Sequence, residues 1–236
     1  MDLLPSVRMT ANLNSIIRGQ QSIEQAERAI VGGDVAHHVL DPDGVLGLDP
    51  LQASTLDEAL EPLLNAERDV WFLALPVPGS LAPLRGPAAF NFAALQQGEA
   101  VVASSASLGL VPNRVGQAVQ WRVFRAEHPL APSSPYETER ALNEVIIHAT
   151  TTLSRLDIPS GAWPKLPAAP ALAPGYSPRQ RATVERAARL LAACDTALLN
   201  DGASISVFEA DRRAQELRRV RAKAGEALGS AVSWLR

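Results

Sequence analysis

Six prolines fall between residues 159 and 178, at positions 159, 164, 167, 170, 174 and 178. Proline fixes its own φ and has no backbone donor, so neither a long helix nor a central strand can run through such a segment. The stretches on either side are unlike. Residues 1–177 carry 11 Lys+Arg against 18 Asp+Glu, a formal charge of −7, whereas residues 178–236 carry 11 against 7, a charge of +4. The expected organisation is a body over residues 1–158, a proline-rich connector over 159–177 and a helical hairpin over 178–236.

Several function classes lose support on composition alone. Of the 236 residues, 47% are apolar, enough for a substantial core. The net charge of −3 gives no global attraction to nucleic acid or to an anionic membrane. A single cysteine, Cys194, excludes an intramolecular disulfide and a Cys-based zinc cluster, and fits a reducing, cytoplasmic setting. The opening Met1-Asp2-Leu3-Leu4-Pro5 lacks the basic and apolar regions of a signal peptide. No uninterrupted apolar run reaches the ~18 residues of a transmembrane helix.

Periodicity predicts the elements. Three- and four-residue apolar spacing predicts helices over residues 12–31, 56–66, 87–97 and 135–156, and Pro62 is expected to shorten or kink the second. Apolar runs predict strands over 35–40, 70–75, 99–103, 108–111 and 117–125, the last two joined by a Pro-Asn-Arg-Val-Gly turn. Val119, Trp121 and Val123 alternate with more polar residues, the mark of a sheet with one better-covered face. The order strand–helix–strand over residues 35–103 predicts crossovers and local parallel pairing. Beyond the prolines, Ser177 and Pro178 can start a helix bearing the stripe Val184, Ala187, Leu191, Cys194 and Leu198. Asn200-Asp201-Gly202 breaks it. A second stripe then runs from Ala210 through Arg221 to Leu235. The fold expected is α/β, with α+β as the alternative: a mixed sheet of about four to five strands covered by helices, plus a C-terminal antiparallel helical hairpin. Ala-rich stripes bury little area, so the hairpin needs a further surface to pack on. The body, the helix near 136–156 and a second copy are the candidates.

Two groups carry the most chemistry. His37, His38 and Asp41 lie on and just after a strand, with His37 and Asp41 on one face and His38 on the other. A metal would need a third ligand from elsewhere, so no metal site is expected. The second group is Ser80, Arg85 and Gly86 in the loop before a helix start, where free N–H groups favour a phosphate or carboxylate. Neither GxGxxG nor GxxxxGK[ST] accompanies it. Ser104 and Ser105 follow a strand but lack the glycines of a nucleophile elbow. Arg212, Arg219 and Arg221 belong to the one basic cluster, whose interleaved glutamates and lack of aromatics disfavour nucleic acid. Arg221 interrupts the apolar stripe and is expected to meet an acidic group, with the acidic body supplying candidates.

These readings predict a non-catalytic cytoplasmic interaction or regulatory protein. Its hairpin would mediate self-association or dock a protein partner, with no cofactor and no membrane. The competing expectation is a binding protein or enzyme for an anion or nucleotide, with a site near Arg85-Gly86 and His37 or His38.

Overall fold

The computed structural model describes residues 3–81, 83–155, 172–199 and 207–234. Most of the proline run and the Asn200-Asp201-Gly202 break lie outside these residues. The elements are α1 (Pro5–Ile17), α2 (Ile23–Val31), β1 (His37–Leu40), β2 (Ser54–Thr55), α3 (Leu56–Ala66), β3 (Trp71–Ala74), α4 (Ala88–Gln97), β4 (Ala100–Ala103), β5 (Leu108–Val115), β6 (Ala118–Arg125), α5 (Pro135–Leu153), α6 (Pro178–Leu198) and α7 (Val207–Ser233). Six strands form one mixed sheet in the order β2-β1-β6-β5-β4-β3. The class is the expected α/β, and the two-residue β2 accounts for the extra strand.

Three local expectations are corrected. The helix expected over 12–31 is two helices, because Gly19 turns with φ +67° and a Ser22–Gln25 capping box restarts the chain. The turn expected at residues 112–116 shrinks to Gly116-Gln117, with Val115 pairing Ala118 and Pro112 through Val115 extending β5. Among the described residues, parallel pairing occurs only between β1 and β6; β3 and β4 are antiparallel, with Ala74 opposite Ala100. The reason lies in the loop after β3. It reaches Gly86, whose carbonyl accepts from Glu127 N just past β6, at the end of the sheet where β4 finishes. The loop has therefore already crossed the sheet, and α4 recrosses it. Pro62 does not end α3, which runs on to Ala66 with Leu60 and Leu63 fully buried on either side of it.

The core has three main parts. On one face of the sheet, Trp71, Leu110, Trp121 and Val123 pack beneath α1, α2 and α3. On the other face, Phe72, Val102 and Phe124 pack under α4, whose Phe90 ring sits where Gly109 has no side chain. The third part joins α1, β3, α5, α6 and α7 through Val7, Leu73, Leu142, Ala187 and Leu228.

Helices α6 and α7 are antiparallel. Gln180 at the start of α6 donates to the Ala231 carbonyl, and Asp195 near its end pairs with Arg221. The α7 seam lies against α1, α5 and β3, and the glycines help: a Cβ on Gly229 would stand 3.3 Å from the Leu73 carbonyl oxygen. The last described residues of the connector also pack on the body. Leu172, Ala173 and Tyr176 are buried, and Arg181 donates to all three of their carbonyls.

Helix α1 is buried along its length despite carrying Ser6, Arg8, Thr10, Asn12, Asn14 and Ser15. Most of these side chains join the helix to another segment. Ser6 meets Glu99, Arg8 meets Asp34, Asn12 meets Gln21, Asn14 meets the Trp71 backbone, and Ser15 donates to the Pro174 carbonyl.

Candidate functional site: an apolar cleft between the hairpin and the sheet

A cleft of about 620 Å³ opens where the N-terminal end of α1, the loop after β3, and helices α6 and α7 meet. Its wall on the body side comes from Leu3, Leu4 and Val7 of the α1 region and from Leu75 and Val77. The hairpin supplies Val184, Ala188 and Ala192 from α6 and Gly225 from α7. Small residues at these helical positions keep the space open: a Cβ on Gly225 would touch only Leu75, at 3.8 Å. Most charged side chains along the rim are paired among themselves. Arg189 binds Glu185, Arg221 binds Asp195, and Lys223 binds Glu226 at 2.7 Å.

Glu99 differs from these rim groups. It sits between α4 and β4, lines the cleft and is 8% exposed. Leu4 cannot cap α1 with its side chain, and the Glu99 carboxylate takes that place: Ser6 N donates to Oε2 at 3.0 Å, and Ser6 Oγ donates to the same atom. The other oxygen, Oε1, accepts nothing from the described residues. Burial raises the Glu99 pKa, against the lowering effects of the Ser6 hydrogen bonds and of Arg114 and Arg8.

The candidates read from the sequence lie apart. His37 is buried in a network: Trp121 Nε1 donates to His37 Nδ1 at 3.1 Å, and His37 Nε2 faces Asp34 Oδ2 at 3.0 Å. Arg8 and Arg114 bind the same Asp34 carboxylate. His38 pairs in the sheet between Thr55 and Gln120. Asp41 fixes a turn, accepting from the backbone N–H groups of Val45, Leu46 and Leu48. Arg85 is exposed beside buried Gly86, whose carbonyl accepts from Glu127 N just past the C-terminal end of β6, whereas His37 and His38 pair with Val119 and Gln120 at the start of that strand. Of the loop group, Ser80 alone lines the cleft. No group of three His, Cys, Asp or Glu side chains converges as a metal site among the described residues.

The arginines of α7 are mostly spent inside the chain. Arg219 and Arg212 approach Glu216 at 3.1 and 3.9 Å, and His148 of α5 meets the same buried carboxylate at 3.2 Å. The acidic partner of Arg221 is Asp195 of α6, and not a residue of the acidic body. Antiparallel pairing of the two helices brings position 195 opposite 221, which the stripe pattern alone does not specify. Ser104 and Ser105 hold Glu67: Ser105 N and Ala106 N donate to its Oε2, and both hydroxyls donate to the carboxylate. These hydrogen bonds keep the Glu67 pKa low against the opposing effect of burial. Cys194 is buried in the hairpin seam, and burial pushes its thiol up to about 11, so it is a packing group.

Sequence reasoning missed Glu99 as a site residue. A signal was present: a carboxylate opening an apolar strand is costly to bury and calls for a partner. The α1 residues of the cleft were missed because they precede the first helix that periodicity detects.

Comparison with known proteins places the chain. No match appears among curated proteins or among solved structures. Two family models do match: that of the Rv1486c-like protein N-terminal domain over residues 6–136, and that of its C-terminal domain over residues 136–229. With both domain models matched in order along one sequence, the chain belongs to the Rv1486c-like family.

Proposed function

We propose that the protein works by binding, without catalysis, and that the α6–α7 hairpin forms one wall of a site for an elongated, mostly apolar small molecule. The observation that carries this reading is the cleft. Its volume of about 620 Å³ lies inside the ~300–1,000 Å³ range of small-molecule sites, and aliphatic side chains dominate its lining. The rim cations, Arg189 and Arg221, are already paired with carboxylates. That pairing turns the competing expectation of an anion or nucleotide site at Arg85 and the histidines toward an apolar ligand in a different place. A cytoplasmic setting suits the single, buried thiol.

Docking of a protein partner or a second copy is the second reading. It would use the outer surface of the hairpin, since the inner seam is covered by α1, α5 and β3. Arg212 and Arg219, with side chains 42% and 48% exposed, would have to reach a partner while bound to Glu216.

The test is a chain-length series of uncharged alkyl ligands, followed by calorimetry and by light scattering on the same samples. Affinity should rise about fourfold per methylene, the equivalent of ~0.8 kcal/mol for each buried CH₂, until the cleft is full. Ala188→Trp should abolish binding while leaving the melting temperature intact. Absence of binding across the series, with a concentration-dependent mass instead, would replace this reading with the second.

A further inference from the structure

The cleft has one deeply placed polar group whose hydrogen-bonding capacity is only half used. Both donors of Ser6 converge on Oε2 of Glu99, a residue that lines the cleft, and Oε1 has no partner among the described residues. The residue is 8% exposed, and aliphatic side chains surround the opening, including Leu3, Leu4 and Leu75. Two arginines act on it at a distance, but both are engaged elsewhere: Arg8 and Arg114 bind Asp34. No Lys, Arg or His among the described residues forms an ion pair with Glu99, so nothing close compensates a buried negative charge.

The two oxygens are therefore unequal. A proton on Oε2 would oppose two donors already aimed at that atom. A proton on Oε1 would leave both Ser6 hydrogen bonds intact and present an O–H to the cleft. We propose that Glu99, carrying its proton on Oε1, donates a hydrogen bond to the ligand and so selects an elongated apolar molecule bearing an uncharged oxygen acceptor, such as an amide or ester carbonyl. The inference rests on the binding reading above and adds the class of head group. Burial, which favours the neutral acid, acts in the same direction. A charged head group of either sign fits less well. An ammonium would require ionised Glu99, and a carboxylate would place two acids together.

Three ligands with the same ten-carbon chain separate the cases: N-methyldecanamide, decylammonium and decanoate, titrated calorimetrically into the full chain at neutral pH. The amide should bind at least tenfold more tightly than either ion. Glu99→Gln keeps an N–H donor for the ligand and an acceptor for Ser6, so it should hold the amide within about threefold. Glu99→Leu should lose tenfold or more for the amide. Should Glu99→Leu fail to fold for want of the α1 cap, the Gln variant still decides through infrared spectroscopy. The C=O band of a protonated carboxyl should be present in the native protein and absent from Glu99→Gln. Tightest binding of decylammonium, lost in Glu99→Gln, would overturn the proposal in favour of a charged carboxylate. Equal binding of all three ligands, unchanged by either variant, would overturn it and leave the apolar binding site standing. Binding of none would remove both.

Discussion

Trp121 Nε1 donates to His37 Nδ1, which leaves the imidazole proton on Nε2, facing the Asp34 carboxylate. Burial lowers the His37 pKa, and the hydrogen bond that His37 donates to Asp34 opposes that effect without reversing it. Asp34 is also lowered, because hydrogen bonds from His37, Arg8 and Arg114 together outweigh its own burial. Both shifts destabilise the fold in acid, but in different windows. An unfolded histidine titrates near pH 6.5, so below that value the unfolded chain gains a proton that the folded chain refuses. Stability should then fall by up to about 1.4 kcal/mol per pH unit down to the lowered folded value. Asp34 contributes only below about pH 4, where the unfolded carboxylate protonates first. Urea midpoints measured between pH 5 and 8 should fall for the native protein relative to His37→Asn as pH drops below 6.5. Parallel curves would mean that His37 titrates alike in both states. The sequence marks His37 and Asp41 as a same-face pair, and both are indeed buried. The partners that define the role of His37 are not marked. Asp34, Trp121, Arg8 and Arg114 come from separate segments, and no spacing in one sequence links residues that meet only in the folded chain.

Strand β3 is the last strand of the sheet, and its open edge is occupied by helix side chains rather than by another strand. Asn14 of α1 accepts from Trp71 N at 2.8 Å and donates to Trp71 O at 2.9 Å, the two bonds that a neighbouring strand would make. Ser233 of α7 accepts from Leu73 N at 3.0 Å and donates to the Gly229 carbonyl. Edges covered in this way cannot pair with other chains. Asn14→Leu preserves bulk but orphans a buried donor and a buried acceptor, which should cost roughly 2–4 kcal/mol. Chemical denaturation reads that loss, and a change under 1 kcal/mol would show that water substitutes for the amide. Helix α1 also marks the limit of pattern reading. α5 and α6 present apolar stripes with capping boxes at Ser134 and Ser177, and both are legible as helices with their start points. β6 is legible from the alternation around Trp121. α1 has no polar face, because its polar residues point inward to fixed partners, and a method that seeks amphipathic spacing passes over its first half. The direction of β4 is hidden for another reason. It depends on the path of the loop after β3, where the prolines and glycines show that the chain turns and not where it goes.

At the scale of the whole molecule, α7 decides how far the two stretches on either side of the prolines can act separately. Its N-terminal part contacts α5 and α6, with Glu216 and Val220 buried. From Ala227 to Ser233 every residue is buried, and Ser233 bonds the backbone of β3. Helix α1 touches both the sheet and α7, contributing Met9 and Leu13 to one core cluster and Val7 and Ala11 to another. The charge asymmetry that divides the sequence is spent largely within the hairpin bundle, as in Arg179–Glu139 and Arg221–Asp195. The family models meet at residue 136, so residues 1–136 form a natural fragment on which to test independence. Made alone, it keeps the whole sheet but loses α5–α7, exposing Leu73, Val7 and Ala11 together with the Leu73 N–H. The expected result is a fragment without a cooperative transition, binding a hydrophobic dye and recovering sharp unfolding when residues 136–236 are supplied as a separate chain. In the intact protein, far-ultraviolet circular dichroism and tryptophan fluorescence should report one coincident transition, since Trp71 lies in the sheet core and Trp234 packs tilted against Phe72 at 5.7 Å between ring centres. Two separated transitions, or a fragment 1–136 that melts sharply by itself, would mean that the hairpin bundle leans on a finished body. A single transition would mean that the cleft between them is formed only when both halves fold together, so that a ligand seated in it stabilises the entire chain.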